Sequence, residues 1–176
     1  MNTFIVLFRG INVSGQKKIK MAELKNHLQD IGLTSIETYI QSGNVIVQTT
    51  WDVSTLNQKI IEKIEKEYGF SVELITRIPA DLKNVIKKNP FGHKDLQRLY
   101  VTFLSEIPAN DKVLALRQVD YSPEEFVLHN DVIYFYSPLG YGRAKMNNNF
   151  FENKLKVSAT TRNWKTVNKL LEISEE

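Results

Sequence analysis

The chain has 176 residues, 42% of them hydrophobic, a net charge of +3 and no cysteine. A chain of this length buries roughly two-thirds of the surface its unfolded form exposes, which supports one domain or two small halves sharing a core. Without a thiol, a disulfide framework and a thiolate metal site are both excluded. The apolar start at 3–8 is too short for a signal segment and runs into Arg9, and no run approaches the roughly 18 apolar residues of a membrane span. The expectation is a cytoplasmic protein with no membrane association.

Residues 3–9 form the first expected strand. Phe4, Val6 and Phe8 alternate with Ile5 and Leu7, so both faces are apolar and the strand is central. A helix over 21–31 follows, with Leu24, Leu28 and Ile31 on one face and Gly32 as its stop. Strands at 35–40 and 45–49 flank Gln41-Ser42-Gly43-Asn44, which reads as a hairpin turn. A helix over 53–68 places Leu56, Ile60, Ile64 and Tyr68 on one face and stops at Gly69, and 72–78 closes the unit as a strand. This βαββαβ order is that of a ferredoxin-like unit.

The pattern then partly repeats. After a connecting helix at 79–88 come a strand at 98–104, a helix opened by Pro108, a hairpin of 125–129 with 132–137 around Asn130-Asp131, a helix at 148–155 and a last helix at 163–172. The fold class is therefore α+β, two ferredoxin-like halves packed together, 1–78 and 90–176, joined by 79–89. In the first half the crossover helix makes the first two strands run the same way, so loop 9–20 faces the 41–44 hairpin at one end of the sheet. In the second half the glycine loop follows the third strand and lies at the opposite end of its own sheet.

Charge is unevenly placed. Arg9, Lys17, Lys18 and Lys20 give segment 9–20 a charge of +4 with no acid. Segment 143–169 reaches +6, with Arg143, Lys145, Lys154, Lys156, Arg162, Lys165 and Lys169 against Glu152, which leaves −7 for the rest. Two basic glycine loops, 9–20 and 140–145, stand out, because glycine lets backbone N–H groups line a concave surface and lysine or arginine adds positive potential. Solvated helix faces account equally well for the later lysines.

Gly10-Ile11-Asn12-Val13-Ser14-Gly15-Gln16-Lys17 follows a strand and precedes a helix, as a P-loop does. Gln16 separates Gly15 from Lys17, however, and Lys18 stands where the metal-binding hydroxyl belongs, so a nucleotide triphosphatase is disfavoured. A looser phosphate or carboxylate site built from Arg9, Asn12, Lys17 and Lys18 remains open. Gln41, Ser42 and Asn44 are candidate ligand contacts or turn residues. Arg143 and Lys145 belong to the second loop. Thr161 or Asn163 is expected to cap the last helix, and Arg162 is a cation at that helix start, where the macrodipole calls for a compensating anion or carbonyl. Tyr100, Thr102, Tyr134 and Tyr136 could form a base-stacking platform, or pack internally. His27, His93 and His129 stand apart and no carboxylate pair has diagnostic spacing, so no metal site, cofactor or acid–base pair is expected.

Arg9-Gly10-Ile11-Asn12-Val13 with Gly15, Tyr39-Ile40-Gln41-Ser42-Gly43-Asn44, Arg98-Leu99-Tyr100-Val101-Thr102-Phe103-Leu104, Gly140-Tyr141-Gly142-Arg143 and Ala159-Thr160-Thr161-Arg162-Asn163-Trp164 together resemble the family catalogued as domain of unknown function 1697. The resemblance spans nearly the whole chain. It implies a cytoplasmic bacterial protein of two ferredoxin-like subdomains with no established activity, and Arg9, Asn12, Gln41, Ser42, Asn44, Arg143, Arg162 and Asn163 match its pattern. Three function classes stay open. The first is a non-catalytic module binding a nucleotide, a phosphorylated small molecule or nucleic acid through the basic loops. The second is an enzyme acting on a small anionic substrate between the halves, with Arg9, Arg143 and Arg162 as charge clamps. The third is a structural or oligomerising protein. Nothing in the sequence sets the oligomeric state.

Overall fold

Every residue from Phe4 to Phe8 is buried in β1 (Asn2–Arg9), as its unbroken apolar run requires. The computed structural model describes residues 1–176. After β1 come α1 (Met21–Asp30), β2 (Thr34–Tyr39), β3 (Asn44–Thr49), α2 (Val53–Tyr68), β4 (Glu73–Arg77) and α3 (Pro79–Lys87). β1 lies inside an antiparallel sheet of order β2-β3-β1-β4. Phe4, Val6 and Phe8 share a core with Leu24 and Leu28 of α1 and Leu56, Ile60 and Ile64 of α2. The Asp52 carboxylate accepts from Thr55 N at 2.7 Å and caps α2, and Gly69, at φ 74°, ends it in a left-handed turn. Leu7 pairs with Asn44, which brings the loop after β1 and the β2–β3 hairpin to the same end of the sheet.

The second sheet follows from β5 (Leu99–Leu104), α4 (Asn110–Arg117), β6 (Glu125–His129), β7 (Val132–Tyr136), α5 (Asn148–Leu155), β8 (Ala159–Asn163) and α6 (Trp164–Ser174). Its order is β6-β7-β5-β8, again antiparallel. Leu104, Ile133, Phe135, Phe151 and Leu155 form its core beneath α4 and α5. Two compact units result: residues 1–83 with 169–176, and residues 84–168. No helix is long and apolar enough to cross a membrane.

β8 corrects the sequence reading, which passes from the helix at 148–155 to the last helix without a strand. Ala159-Thr160-Thr161-Arg162-Asn163 has no apolar alternation to announce itself, yet it pairs with β5 from Leu104↔Ala159 to Tyr100↔Asn163. Its threonines are β-branched, and Thr160 and Arg162 are buried. The second half thereby repeats the strand order of the first.

Of the two readings of the tyrosines, the packing one holds. Tyr100 lies opposite Phe135, while Tyr134 lies opposite Val101, so Tyr100 and Tyr134 occupy opposite faces of the sheet. Tyr134 is 2% exposed and its hydroxyl donates to Val85 O at 2.7 Å; burial pushes its pKa up to about 12. Internal packing is what these rings provide.

Candidate ligand-binding loops

In the first unit one neutral side chain closes the loop after β1. Asn12 Nδ2 donates to Ile19 O at 2.9 Å and to Gln41 O at 2.7 Å, and Asn12 Oδ1 accepts from Ile19 N at 2.8 Å. Asn12 N donates to Lys17 O at 3.2 Å and Gln16 N to Val13 O at 2.9 Å. Asn12 thus ties the loop both to itself and to the hairpin. Within it Gly10, Asn12, Ser14, Gly15 and Lys17 all adopt positive φ, between 43° and 73°. Each residue with a side chain costs about 1–2 kcal/mol in that region, least for asparagine.

The hairpin is fitted against this loop. Gly43, at φ 83°, donates no side chain, and a Cβ there would lie 2.5 Å from Ile11 Cδ1 and 2.7 Å from Phe8 Cβ. Its carbonyl accepts from Phe8 N at 2.8 Å. Asn44 is fully buried, and its Nδ2 donates to Tyr39 O at 2.8 Å and Ser42 Oγ at 3.0 Å. Ser42 and Asn44 therefore fold the turn, while Gln41 is exposed beside Asn12.

The cations of this loop differ in their partners. Arg9 Nε lies 3.8 Å from Glu73 Oε2, its directly opposite neighbour on β4. Lys17 Nζ donates to Ser71 O at 2.8 Å and sits 5.9 Å from the centre of the Phe70 ring, which anchors it to the segment after α2. Lys18 is exposed.

In the second unit the glycine loop lies where β5 begins and β7 and β8 end: Ser137 N donates to Arg98 O at 3.0 Å, and Asn163 pairs with Tyr100. Tyr141 is its anchor. Its ring centre is 5.2 Å from that of Tyr100, its N–H donates to the Tyr100 hydroxyl at 3.2 Å, and its hydroxyl accepts from Asn148 N at 2.9 Å. Asn148 continues the network, accepting from Thr161 Oγ1 at 3.0 Å and donating to Ala159 O at 2.8 Å. The Glu124 carboxylate accepts from Lys145 N at 2.7 Å and Met146 N at 3.0 Å, so two amides of this loop already hold an anion. Gly140 takes φ 85°, and a Cβ there would meet Arg98 Nη1 at 2.8 Å. Arg98, Arg143 and Lys145 are exposed.

Arg162 stands in β8 rather than on the first turn of α6, and it is 6% exposed. Its Nη1 donates to Thr160 Oγ1 at 2.7 Å and Thr161 O at 3.0 Å. Burial pulls the guanidinium pKa from 12.5 down to about 10, with Tyr141 acting in the opposite direction. The expected partner is thus met by a hydroxyl and a carbonyl, and the cause is burial in a strand rather than a helix dipole. Asn163 Oδ1 accepts from Thr166 N at 2.8 Å and caps α6, although the residue itself is exposed.

The residues that hold both loops were only partly legible. Asn12, a candidate ligand contact in the sequence, makes three hydrogen bonds to backbone that clamp the loop. Glu124 carried no local signal, because the amides it holds lie 21 residues on. Tyr141 stands in the sequence only as part of the Gly140-Tyr141-Gly142-Arg143 motif, with no role of its own. No group of three or more histidine, aspartate or glutamate side chains is arranged to hold a metal ion.

Comparison with known proteins adds a family. A family model described as a protein of unknown function (DUF1697) matches residues 1–134. No curated protein matches the chain. Among solved structures the chain is similar to the conserved bacterial protein SP0830 from Streptococcus pneumoniae, with 25% identity, 98% of each chain covered and a TM-score of 0.78.

Proposed function

We propose a function for a chain that belongs to the DUF1697 family, whose description assigns none: a non-catalytic module that binds a phosphorylated or polyanionic ligand, a nucleotide or nucleic acid, through its basic glycine loops. The observation that carries this reading is the backbone of loop 10–17. Five of its residues hold positive φ, three of them with side chains, and Asn12 sustains the arrangement with three hydrogen bonds. Strain of this kind persists only where surrounding structure over-determines it, and it concentrates at ligand sites. The loop is shaped by a neutral side chain, so the ammonium of Lys18 is spared from structural work.

The same logic applies separately to the second loop. Tyr141 and Glu124 fix its backbone, and Arg98, Arg143 and Lys145 are exposed around it. Because Glu124 fills the amides of Lys145 and Met146, an anion here would be met by side chains, with the Arg143 guanidinium offering a bidentate contact. In this account Lys18, Gln41, Arg143 and Lys145 touch ligand. Asn12, Ser42, Asn44 and Asn163 hold the backbone, and Arg9, Lys17 and Arg162 supply potential from fixed positions. We read the halves, 1–78 and 90–176, as ferredoxin-like units, a reading supported by the repeated strand order.

The test is a titration of labelled single-stranded and duplex oligonucleotides at two ionic strengths, with a thermal-shift screen of nucleotides and sugar phosphates alongside. Exposed cations predict dissociation constants of about 10⁻⁴ to 10⁻⁶ M that weaken steeply with salt. Lys18→Glu and Arg143→Glu should each weaken binding at unchanged thermal stability. Tight binding of one small phosphate with little salt dependence would point instead to an enzyme site, since contacts in a closed cleft are screened less. Binding of neither class overturns the proposal.

A further inference from the structure

β6 is the outer strand of the second sheet, and it carries no bulge, proline or lysine. Edge strands commonly carry a bulge, a proline or a lysine that discourages pairing. β2, the corresponding edge of the first sheet, has an irregular register between Thr34 and Glu37, with Ser35 at φ 48°. β6 instead pairs with β7 over five consecutive residues without a break, from Glu125↔Tyr136 to His129↔Val132.

The direction of its backbone groups follows from the ladder. Leu104 N donates to Asp131 O and Ser137 N to Arg98 O, so the odd-numbered residues of β7 bond to β5 and the even-numbered ones to β6. Glu125, Val127 and His129 are the β6 partners of those even positions. Phe126 and Leu128 therefore turn their N–H and C=O groups to the free edge. One of these is engaged: Arg117 Nη2 donates to Leu128 O at 3.3 Å. A carbonyl has two lone pairs and can accept again. Beside this edge runs a groove lined by Ile107, Val113, Arg117 and Leu128, with Ile107 67% exposed.

We propose that β6 pairs with β6 of a second copy of this chain, antiparallel about Val127, extending the second sheet across a twofold axis. Self-complementarity selects this occupant. In that register Phe126 faces Leu128 of the other copy, and the two exchange the outward backbone bonds. Val127 meets its own counterpart, an exposed valine on an exposed valine. Glu125 faces the other copy's His129 at both ends. The Lys88 ammonium lies 3.2 Å from His129 Nε2 and can only donate, so the tautomer assigned by this contact has Nε2 accepting and Nδ1 facing a carboxylate as donor. Glu125 bonds to Lys94 through Oε2, which leaves Oε1 to accept. One strand pair is a small interface, so the dimer is weak, with a dissociation constant of about 10⁻⁵ to 10⁻³ M.

Because residue 127 lies on the twofold axis, it opposes itself, and this gives a test that a general loss of stability cannot imitate. Sedimentation velocity on the full chain should show concentration-dependent dimerisation. Val127→Lys and Val127→Glu each place like charges face to face, and each should raise the dissociation constant by about fivefold or more at unchanged circular dichroism. Mixing the two variants in equal amounts should restore a heterodimer at least as tight as the wild-type dimer. A wild-type chain that stays monomeric to about 1 mM, a Val127→Lys variant that dimerises normally, or a mixture that stays monomeric would overturn the proposal. Capture of an extended peptide by the monomer in place of self-association would overturn it likewise.

Discussion

At the residue scale, two positions carry the account's sharpest expectations. Gly43 is both left-handed and packed against Ile11 and Phe8, so Gly43→Ala must strain the backbone and displace two core side chains. We expect a loss of about 2–4 kcal/mol, read as a lower urea midpoint at unchanged slope. Tyr134 couples stability to pH. Its hydroxyl has a pKa of about 12 in the fold against an ordinary 10.0. Below the ordinary value both states hold the proton and no slope arises; between 10 and 12 the unfolded chain ionises first, so stability falls as pH rises. Tyr134→Phe should cost about 1–3 kcal/mol at pH 8 by stranding Val85 O, and should remove that alkaline loss. Urea midpoints at pH 8 and pH 11 decide it: equal alkaline losses in both proteins would mean that Tyr134 does not titrate late. Arg162, depressed by burial, shifts stability the opposite way in both proteins and cancels from the difference.

At the element scale, the loop after β1 depends on Asn12. Asn12→Ala removes three hydrogen bonds between side chain and backbone and should destabilise the first unit by about 2–3 kcal/mol. Trypsin should then cut at Lys17 and Lys18 faster than in the wild type, and an unchanged cleavage rate would contradict the clamp. Most elements were legible because their signals are local. Leu56, Ile60 and Ile64 recur at helical spacing before Gly69, and α2 spans Val53–Tyr68 as expected. β1 declared itself by an apolar run, and the two hairpins by their turns. β8 did not, because Ala159–Asn163 is polar after its first residue and becomes a strand through pairing with β5, a contact 59 residues away in sequence. Missing that strand moved Arg162 from a buried strand position to a helix start.

At the scale of the whole molecule, the repeated strand order explains where the basic segments lie within each unit, one at the end of the first sheet with its hairpin and one at the strand-starting end of β5. Sequence could name the cations but not their accessibility. Lys17 is exposed yet tied to Ser71, Arg162 is buried, and Lys18, Arg143 and Lys145 are exposed, a division set by a partner 54 residues off for Lys17 and by a strand invisible in the sequence for Arg162. Glu124 was missed for the same reason, since its carboxylate is placed by tertiary structure. The most direct measurement is the map of backbone amide shifts when polyphosphate is titrated into the nitrogen-labelled chain at low salt. The account predicts that amides of 10–20 and 140–146 move together with Gln41, and that Lys18→Glu abolishes the movement in the first group alone. Shifts confined to other surfaces, or none at saturating polyphosphate, would contradict it.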